Sequence, residues 1–498
     1  MTEEPEPRGT PAAASNAATP AASSVTPAAA GTVTTAAAAS GASSAAVPDT
    51  SGSTVSELIY GLDDAPPLPK TLLVALQHVF AVFVGMITPP LIIAGALKLS
   101  AGDTAYLVSM SLFVSGAATI LQTSRLGPIG SGLLSIQGTS FTFIAPVIST
   151  AGALMAGGAT ATQALGVVFG LCLAGALIVA VLSRFIQLAS AVITPIVTGT
   201  VVTLIGLTLI EVGVVNVGGG FGAQGDGTFG SVPNLLLAGL VMGVIVGFNS
   251  TRSPNLRMLS VVLGLAAGYL AAALLGRLDL SAFAGMPALT VPQPFRFGLG
   301  FSWTAFIPFI VMYLITVMES IGDLTATSSL SSQPISGPVY MRRLRGGLLA
   351  DGLSSAIGAS LNSFPSTTFA QNNGVIQLTG VGSRHVGMFI GGILMVLGLI
   401  PAVGVLVQAL PPSALGGATL IMFGMVAAAG LRILGRVPMN RRNSTILAIS
   451  LGLGLGVTFV PTLLDQLPPM LKSTFSSGIA TGGMCALLLN IILPGERQ

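Results

Sequence analysis

Two acidic side chains, Glu319 and Asp323, lie four residues apart in the otherwise apolar stretch TVMESIGDLTATSSL. This spacing places both on one face of a helix. Ionisable groups inside an apolar segment are costly and suggest a functional site by default. Two carboxylates this close disfavour simultaneous ionisation, so we expect at least one to hold a proton near neutral pH. The alternative is a structural salt bridge, although no Lys or Arg lies within two helical turns along the chain.

Side-chain amides dominate a second stretch, FAQNNGVIQLTG, which apolar segments flank closely. Its polar side chains are those of Gln371, Asn372, Asn373, Gln377 and Thr379. A lipid-facing helix would avoid five such groups. The run before it, NSFPSTTF, contains Pro and leans towards β-structure, and GSGLLSIQGTSFTFIAPV at 130–147 has the same character. Both segments are therefore expected to break, with a short β-leaning piece followed by a half-helix.

Such a break leaves helix N-termini near Thr139–Ser140 and near Asn372–Gly374. Their free N–H groups would bind carbonyl oxygens and anions. Irregular backbone at membrane depth is tolerated only where it is buried in protein or lines a cavity. Two re-entrant loops of purely structural use remain the alternative.

Three further polar residues lie in or beside apolar segments. Asp351 follows the basic loop MRRLRGG, so pairing with an arginine at the interface is an alternative to a role in a site. His78 lies beside Gln77 in LQHVFAVFVGMITPP. A core histidine with satisfied hydrogen bonds is the alternative there.

Composition identifies the class of protein. Of the 498 residues, 52% are hydrophobic and 7% are charged, and the mean hydropathy is +0.88. A soluble domain carries about 25% charged residues, so this chain is predicted to cross a membrane many times. Residues 1–56 differ, because they are rich in Ala, Pro, Ser and Thr. They cannot bury enough apolar surface to fold, and we expect a disordered cytoplasmic tail with no cleaved signal peptide.

Several classes of function are excluded. Cys172 and Cys485 lie in apolar runs and are interpreted as small buried hydrophobes, while two histidines are too few for a histidine-rich metal centre. No Walker motif or dinucleotide-binding fingerprint is present. We therefore predict a protein that is not an enzyme, that needs no cofactor or metal and binds no nucleic acid, and whose transport would be driven by a gradient.

Fourteen apolar segments follow the tail. The two broken segments are the third and the tenth, seven apart, so two sevenfold repeats would have opposite orientations in the membrane. A matched pair of broken segments in inverted halves indicates a binding site near the midplane. The predicted segments are 71–97, 104–123, 129–147, 161–183, 187–211, 233–249, 257–276, 302–325, 346–362, 365–380, 385–408, 414–431, 444–462 and 471–493.

The basic residues predict the orientation of these segments. With the N-terminus in the cytoplasm, only Lys98, Arg277, Arg296 and Lys472 of the 19 Lys and Arg residues fall outside. The remaining 15, which include Arg343 and Arg442, fall inside. This asymmetry favours fourteen crossings with both termini cytoplasmic.

The landmarks of this chain resemble those of one family, the nucleobase–ascorbate transporters, over nearly all of residues 70–493. QNNGVIQLTG (371–380) resembles the family signature, and QH at 77–78, QGTSF at 137–141 and ESIGD at 319–323 resemble other family landmarks in the same order. The resemblance implies an all-α polytopic fold of fourteen segments in a 7+7 inverted repeat, with short β-strands in segments 3 and 10. It also implies a core domain (70–183 and 302–408) and a gate domain (184–278 and 412–493), the latter forming a homodimer.

The same resemblance implies roles for individual residues. Glu319 and Gln371 would hydrogen-bond a nucleobase held between the two short strands. The lining would comprise Ser140, Phe141, Phe369, Ala370 and Gly374. Proton coupling and support of the site would involve Gln77, His78, Asp323, Asp351, Asn372 and Thr379.

The expected activity is proton-coupled import of uric acid or xanthine across the plasma (inner) membrane by an elevator-type mechanism. The resemblance favours these purines because residue 371 is Gln and residue 380 is Gly. A uracil symporter of the same family is one alternative. An anion transporter of the same architecture, such as a sulfate transporter, is the other.

Overall fold

A computed structural model describes residues 58–186, 194–278, 289–467, 471–472, 475 and 477–494. The predicted disordered tail, residues 1–56, lies outside this part of the chain. The described residues belong to one compact unit that is mostly helical and contains seventeen α-helices. The predicted class, a helical polytopic membrane protein, is confirmed.

The first half of the described chain contains nine helices and one strand. A short 3-10 turn, Phe141–Phe143, leads from the strand into the third helix. The elements are α1 Leu68–Ala96, α2 Ala101–Thr123, β1 Gln137–Thr139, α3 Ile144–Ala156, α4 Ala161–Leu182, α5 Pro195–Val217, α6 Gly220–Asp226, α7 Val232–Asn249, α8 Pro254–Met258 and α9 Ser260–Leu274.

The second half contains eight helices and the other strand. They are α10 Trp303–Leu330, α11 Gly337–Ser360, β2 Ser366–Thr368, α12 Gln371–Thr379, α13 Arg384–Leu399, α14 Pro401–Gln408, α15 Pro412–Leu434, α16 Arg441–Phe459 and α17 Gly478–Ile492.

Seven of the described helices are long and apolar enough to cross a membrane: α1, α2, α4, α5, α7, α10 and α15. Four shorter apolar stretches, which contain α3, α9, α13 and α17, have 10–17 residues. Within a bilayer a helix satisfies its own backbone hydrogen bonds, which explains why apolar sequence takes this form.

The two strands pair with each other across more than 200 residues of chain. β1 and β2 are antiparallel, with Gln137 opposite Thr368, Gly138 opposite Thr367 and Thr139 opposite Ser366. Hydrogen bonds continue beyond the strands, from Ser140 N to Pro365 O at 2.8 Å and from Phe369 N to Ile136 O at 3.0 Å. The pair is buried, so its backbone groups are satisfied within the protein, as membrane depth requires.

The helices pack in two sets. In one set α2 packs against α13 and α14, and α4 packs against α10 and α11. In the other, α5 packs against α15 and α17, while α7 packs against α9 and α15. Glycine lets neighbouring helices approach each other closely. In the second set, for example, a Cβ on Gly206 of α5 would collide with the Ala427 backbone of α15. The strand pair lies in the first set.

Candidate functional site

The strand pair places two helix starts next to each other. The 3-10 turn and α3 follow β1 after Ser140, and α12 begins at Gln371, two residues after Phe369. The first N–H groups of a helix have no partner within the helix and can bind carbonyl oxygens or anions. Three of these donors are already used, because Thr142 N donates to Ser140 Oγ at 3.3 Å, Asn372 N to Phe369 O at 3.1 Å and Asn373 N to Ala370 O at 3.0 Å.

The side-chain amide of Gln371 is available at the start of α12. Gln371 is half-buried, and its side-chain amide makes no hydrogen bond to any residue in the described ranges. Ala370 and Gly374 beside it are exposed, and a Cβ on Gly374 would meet no atom within 4 Å. This side of α12 therefore faces open space, with one amide that offers both a donor and an acceptor.

Aromatic rings close one side of the site. The ring centroids of Phe141 and Phe369 are 6.2 Å apart. Phe141 also meets Phe423 of α15 edge-on, at 5.5 Å, so the ring contacts the other helix set. The Phe369 ring lies between Gly85 of α1 and Gly138 of β1, where a Cβ on either glycine would collide with it.

Three carboxylates gather behind the strands. Glu319 and Asp323 lie on α10 and Asp351 lies on α11, and the three groups are close enough to interact electrostatically. The salt bridges found in the described part of the chain all lie elsewhere, at Asp63, Asp103 and Asp465. Among the described residues, neither Glu319 nor Asp323 forms a salt bridge, and Asp351 has no arginine partner.

Neutral polar groups of the strands hold the carboxylates instead. Gln137 Nε2 donates to Asp351 Oδ1 at 2.7 Å, and Thr368 Oγ1 donates to Asp323 Oδ2 at 3.0 Å. Glu319 lies beside Thr367, and its Oε2 is buried with no hydrogen-bond partner in the described structure. The strand pair and the acidic cluster thus form one hydrogen-bonded unit, with Glu319 holding an unused acceptor.

His78 lies in the same region, fully buried on α1 beside the side chain of Asn372. Neither ring nitrogen of His78 has a hydrogen-bond partner among the residues described. Asn372 Nδ2 donates to Leu134 O at 2.5 Å, while its Oδ1 has no partner there. The side chain of Asn372 is the polar neighbour with which the His78 ring interacts.

Two of the predicted residues lie apart from this cluster. Gln77 Nε2 donates to Asn255 Oδ1 of α8 at 3.1 Å and so links α1 to the second helix set. Thr379 lies at the far end of α12, where its Oγ1 donates to Val375 O at 2.8 Å and accepts from Val381 N at 3.3 Å. Both side chains therefore form hydrogen bonds away from the acidic cluster.

Other residues at the site were given no individual role from the sequence. Gln137 and Thr368 hold carboxylates, Phe423 touches Phe141, and Asn373 Oδ1 accepts from Thr327 Oγ1 at 2.7 Å, which joins α12 to α10. A glutamine in an apolar segment is the signal that could have identified Gln137. Phe423 gives no such signal, because one more Phe in an apolar helix is unremarkable in sequence.

Comparison with known proteins gives a consistent result. A model described as a permease family matches residues 69–463. The chain is 51% identical over 444 residues to the xanthine permease XanP of Escherichia coli K12, covering 89% of this chain and 96% of that protein. It is 46% identical over 440 residues to xanthine permease XanQ of the same organism (88% and 94%). The nucleobase transporter PlUacP of Paenibacillus larvae is 36% identical over 431 residues (86% and 96%).

Solved structures share the fold at low sequence identity. The transmembrane domain of the cyanobacterial bicarbonate transporter BicA aligns with a TM-score of 0.54 and 15% identity, over 81% of this chain and 97% of that one. SLC26A9 aligns with a TM-score of 0.54 and 13% identity, over 85% and 66%. At such identities the likeness concerns architecture only.

Proposed function

The chain belongs to the nucleobase–ascorbate transporter family, and from this premise we propose that it imports a purine nucleobase, xanthine or uric acid, in symport with protons. The observation that carries the proposal is the free amide of Gln371 at a helix start, in a site that also holds the unpaired carboxylate oxygen of Glu319. The names of the relatives at 51% and 46% identity favour xanthine as the first substrate to test.

A purine fits the chemistry of this site. The edge of an oxidised purine alternates N–H and C=O groups, and the Gln371 amide presents a donor and an acceptor together. Glu319 accepts from a ring N–H when ionised and can also donate when protonated. Ser140, Phe369, Ala370 and Gly374 would line the site. The N–H groups of Ser140 and Phe369 are already bonded beside the strand pair, so the N–H of Ala370 is the donor offered there, and the Phe141 ring offers a flat apolar surface to the heterocycle.

Proton coupling would use the acidic cluster. Glu319 touches the substrate in this proposal, while Asp323 and Asp351 are held by the strands that define the site. Substrate binding and the protonation of Glu319 would then be linked, because the same oxygen takes part in both. His78 and Asn372, with unpaired polar atoms side by side, would support the cluster from the side of α1.

The two helix sets would act as a core domain and a gate domain. Their internal packing supports this division, and the Phe141–Phe423 contact lies between them. We infer an elevator-type movement of the core, with the site, against a homodimeric gate, built as a 7+7 inverted repeat of fourteen segments. The distribution of Lys and Arg supports cytoplasmic termini in the plasma membrane.

Uptake of labelled xanthine tests the substrate and its coupling. Intact cells expressing the chain should accumulate xanthine, unlabelled uric acid should compete, and an uncoupler should abolish accumulation. Competition by uracil alone would favour the uracil alternative. Transport of sulfate or bicarbonate without xanthine would favour an anion transporter, the function that the shared architecture alone would allow.

A further inference from the structure

Two adjoining cavities lie on α13, away from the acidic cluster. A polar pocket of about 300 Å³ is located where α2 ends and α13 begins, between Thr123–Arg125 and Arg384–His385. An open groove of about 440 Å³ continues along α13 over Met388, Phe389, Gly392, Ile393, Val396 and Leu397. Met388 lines both, so the two cavities form one continuous site with a polar end and an apolar end.

The polar end is basic. Arg125, Arg384 and His385 line it together with one carboxylate, that of Asp63. Arg384 Nε donates to Asp63 Oδ1 at 2.7 Å, and Arg343 is close enough to interact electrostatically with Arg125, Arg384 and Asp63. The neighbouring Asp64 does not line the pocket, and its Oδ2 accepts from Gly61 N at 2.7 Å. Two guanidinium groups against one carboxylate leave an excess of positive charge in the lining of the pocket, and Arg343 nearby adds to it.

The apolar end suits a hydrocarbon chain. Met388 and Val396 are 40% and 57% exposed, so α13 leaves this face uncovered. Gly392 lies in the middle of the groove, and a Cβ there would meet no atom within 4 Å. The glycine therefore deepens the groove where a larger side chain would fill it.

We propose that this is a binding site for an anionic phospholipid, with the headgroup phosphate in the basic pocket and one acyl chain in the groove of α13. Charge complementarity favours an anionic headgroup, since arginine pairs with phosphate oxygens in a bidentate manner. A free inorganic anion would leave the apolar groove unused. Basic pockets between membrane helices next to the bilayer surface are where such headgroups bind.

Native mass spectrometry of the full chain in detergent tests the proposal. The protein is incubated with dioleoyl phosphatidylglycerol, with dioleoyl phosphatidylcholine, and with inorganic phosphate alone, and thermal unfolding is followed in parallel. We expect one phosphatidylglycerol retained per chain, with a raised Tm, and no comparable effect of phosphatidylcholine or phosphate. A Tm shift with phosphate equal to that with phosphatidylglycerol would show an anion site only and would overturn the lipid assignment.

Two pairs of variants test the polar end and the apolar end of the site independently. R125Q with R384Q should weaken phosphatidylglycerol binding about 5-fold for each arginine removed, whereas R436Q, an exposed arginine elsewhere, should not. G392L should weaken it by filling the groove, whereas G424L, at an equally open helical glycine, should not. Equal phosphatidylglycerol occupancy in the wild type and in all these variants, in protein that stays monodisperse, would contradict the proposal.

Discussion

Gln137 donates from its side-chain amide to Asp351 Oδ1 across 2.7 Å, and this bond joins β1 to α11. The other oxygen, Oδ2, is buried and has no partner among the described residues. The position of Asp351 therefore depends on the register of a three-residue strand. Because the strand also positions Ser140 and Phe141, this bond connects the acidic cluster to the binding site, as the bond from Thr368 Oγ1 to Asp323 Oδ2 does from β2.

Replacing Gln137 by Leu should impair transport. Leucine is of similar size but leaves Asp351 Oδ1 without the amide donor of Gln137, which destabilises this arrangement by about 1–3 kcal/mol, and we expect a lower uptake rate. Initial rates of xanthine uptake at matched expression measure the effect.

Gln122→Leu is the control, since both amide atoms of Gln122 are buried and unpaired in the described structure. It should change uptake little, because leucine removes no hydrogen bond there. Equal rates in the two variants would mean that the Gln137–Asp351 bond has no part in transport.

Glu319→Gln should abolish proton-driven accumulation while the protein stays folded in the membrane. The amide cannot release a proton, and the loss of a charged hydrogen bond to the base costs about 1.5–3 kcal/mol, roughly 10- to 150-fold in binding. Accumulation ratios with and without an uncoupler, together with xanthine binding, give the two effects separately.

Glu211→Gln makes the same change at an exposed position on α5 and should accumulate xanthine like the wild type. If Glu319→Gln also accumulated xanthine at the wild-type ratio, and an uncoupler still removed the gradient, the Glu319 carboxylate would be dispensable for coupling.

Gly85→Ala should disturb the site from α1. The new Cβ would lie 2.6 Å from Phe369 Cε1, and Gly138 on the opposite side of the ring prevents its retreat. Overpacking of this kind costs about 1–3 kcal/mol, so we expect weaker xanthine binding. Gly95→Ala on the same helix meets no atom within 4 Å and should bind xanthine normally. Equal affinities would show that Phe369 can shift without affecting the site.

The sequence identified candidate site residues where a polar or charged side chain lies in an apolar segment. Glu319, Asp323, Asp351 and His78 were all recognisable in this way, and the structure brings them to one region. Their partners were not recognisable. Gln137 and Asp351 are 214 residues apart, so their contact depends on how β1 and β2 pair, which no local pattern reports.

Segment boundaries show the same limit. The third apolar segment was predicted at 129–147, whereas α3 runs from Ile144 to Ala156 and extended chain precedes it. Hydropathy averages over the break and cannot locate the residue at which a strand turns into a helix. Within α12, the residue pattern did not reveal that Asn373 is bonded to Thr327 of α10, because only packing decides which amide faces which helix.

Gln371→Glu should change the order of substrate preference. Glutamate keeps an acceptor but loses the donor when ionised, so one carbonyl of the purine would face a carboxylate oxygen. A site built to hydrogen-bond a group discriminates strongly when that partner is left unpaired. The added charge should also repel anionic urate more than neutral xanthine, since two like charges in direct contact repel each other. Urate binding should therefore be lost first and xanthine binding less, with a relative gain for uracil.

Binding or uptake of xanthine, urate and uracil at matched expression measures this order. Gln377→Glu is the matched control, because it makes the same substitution in the same helix at an exposed residue six positions further on. It lies about 9 Å further along the axis of α12 and about 120° around the helix from Gln371, so it should keep the wild-type order. If Gln371→Glu kept that order as well, its amide would not read the purine edge, and the substrate would have to bind elsewhere than at the start of α12.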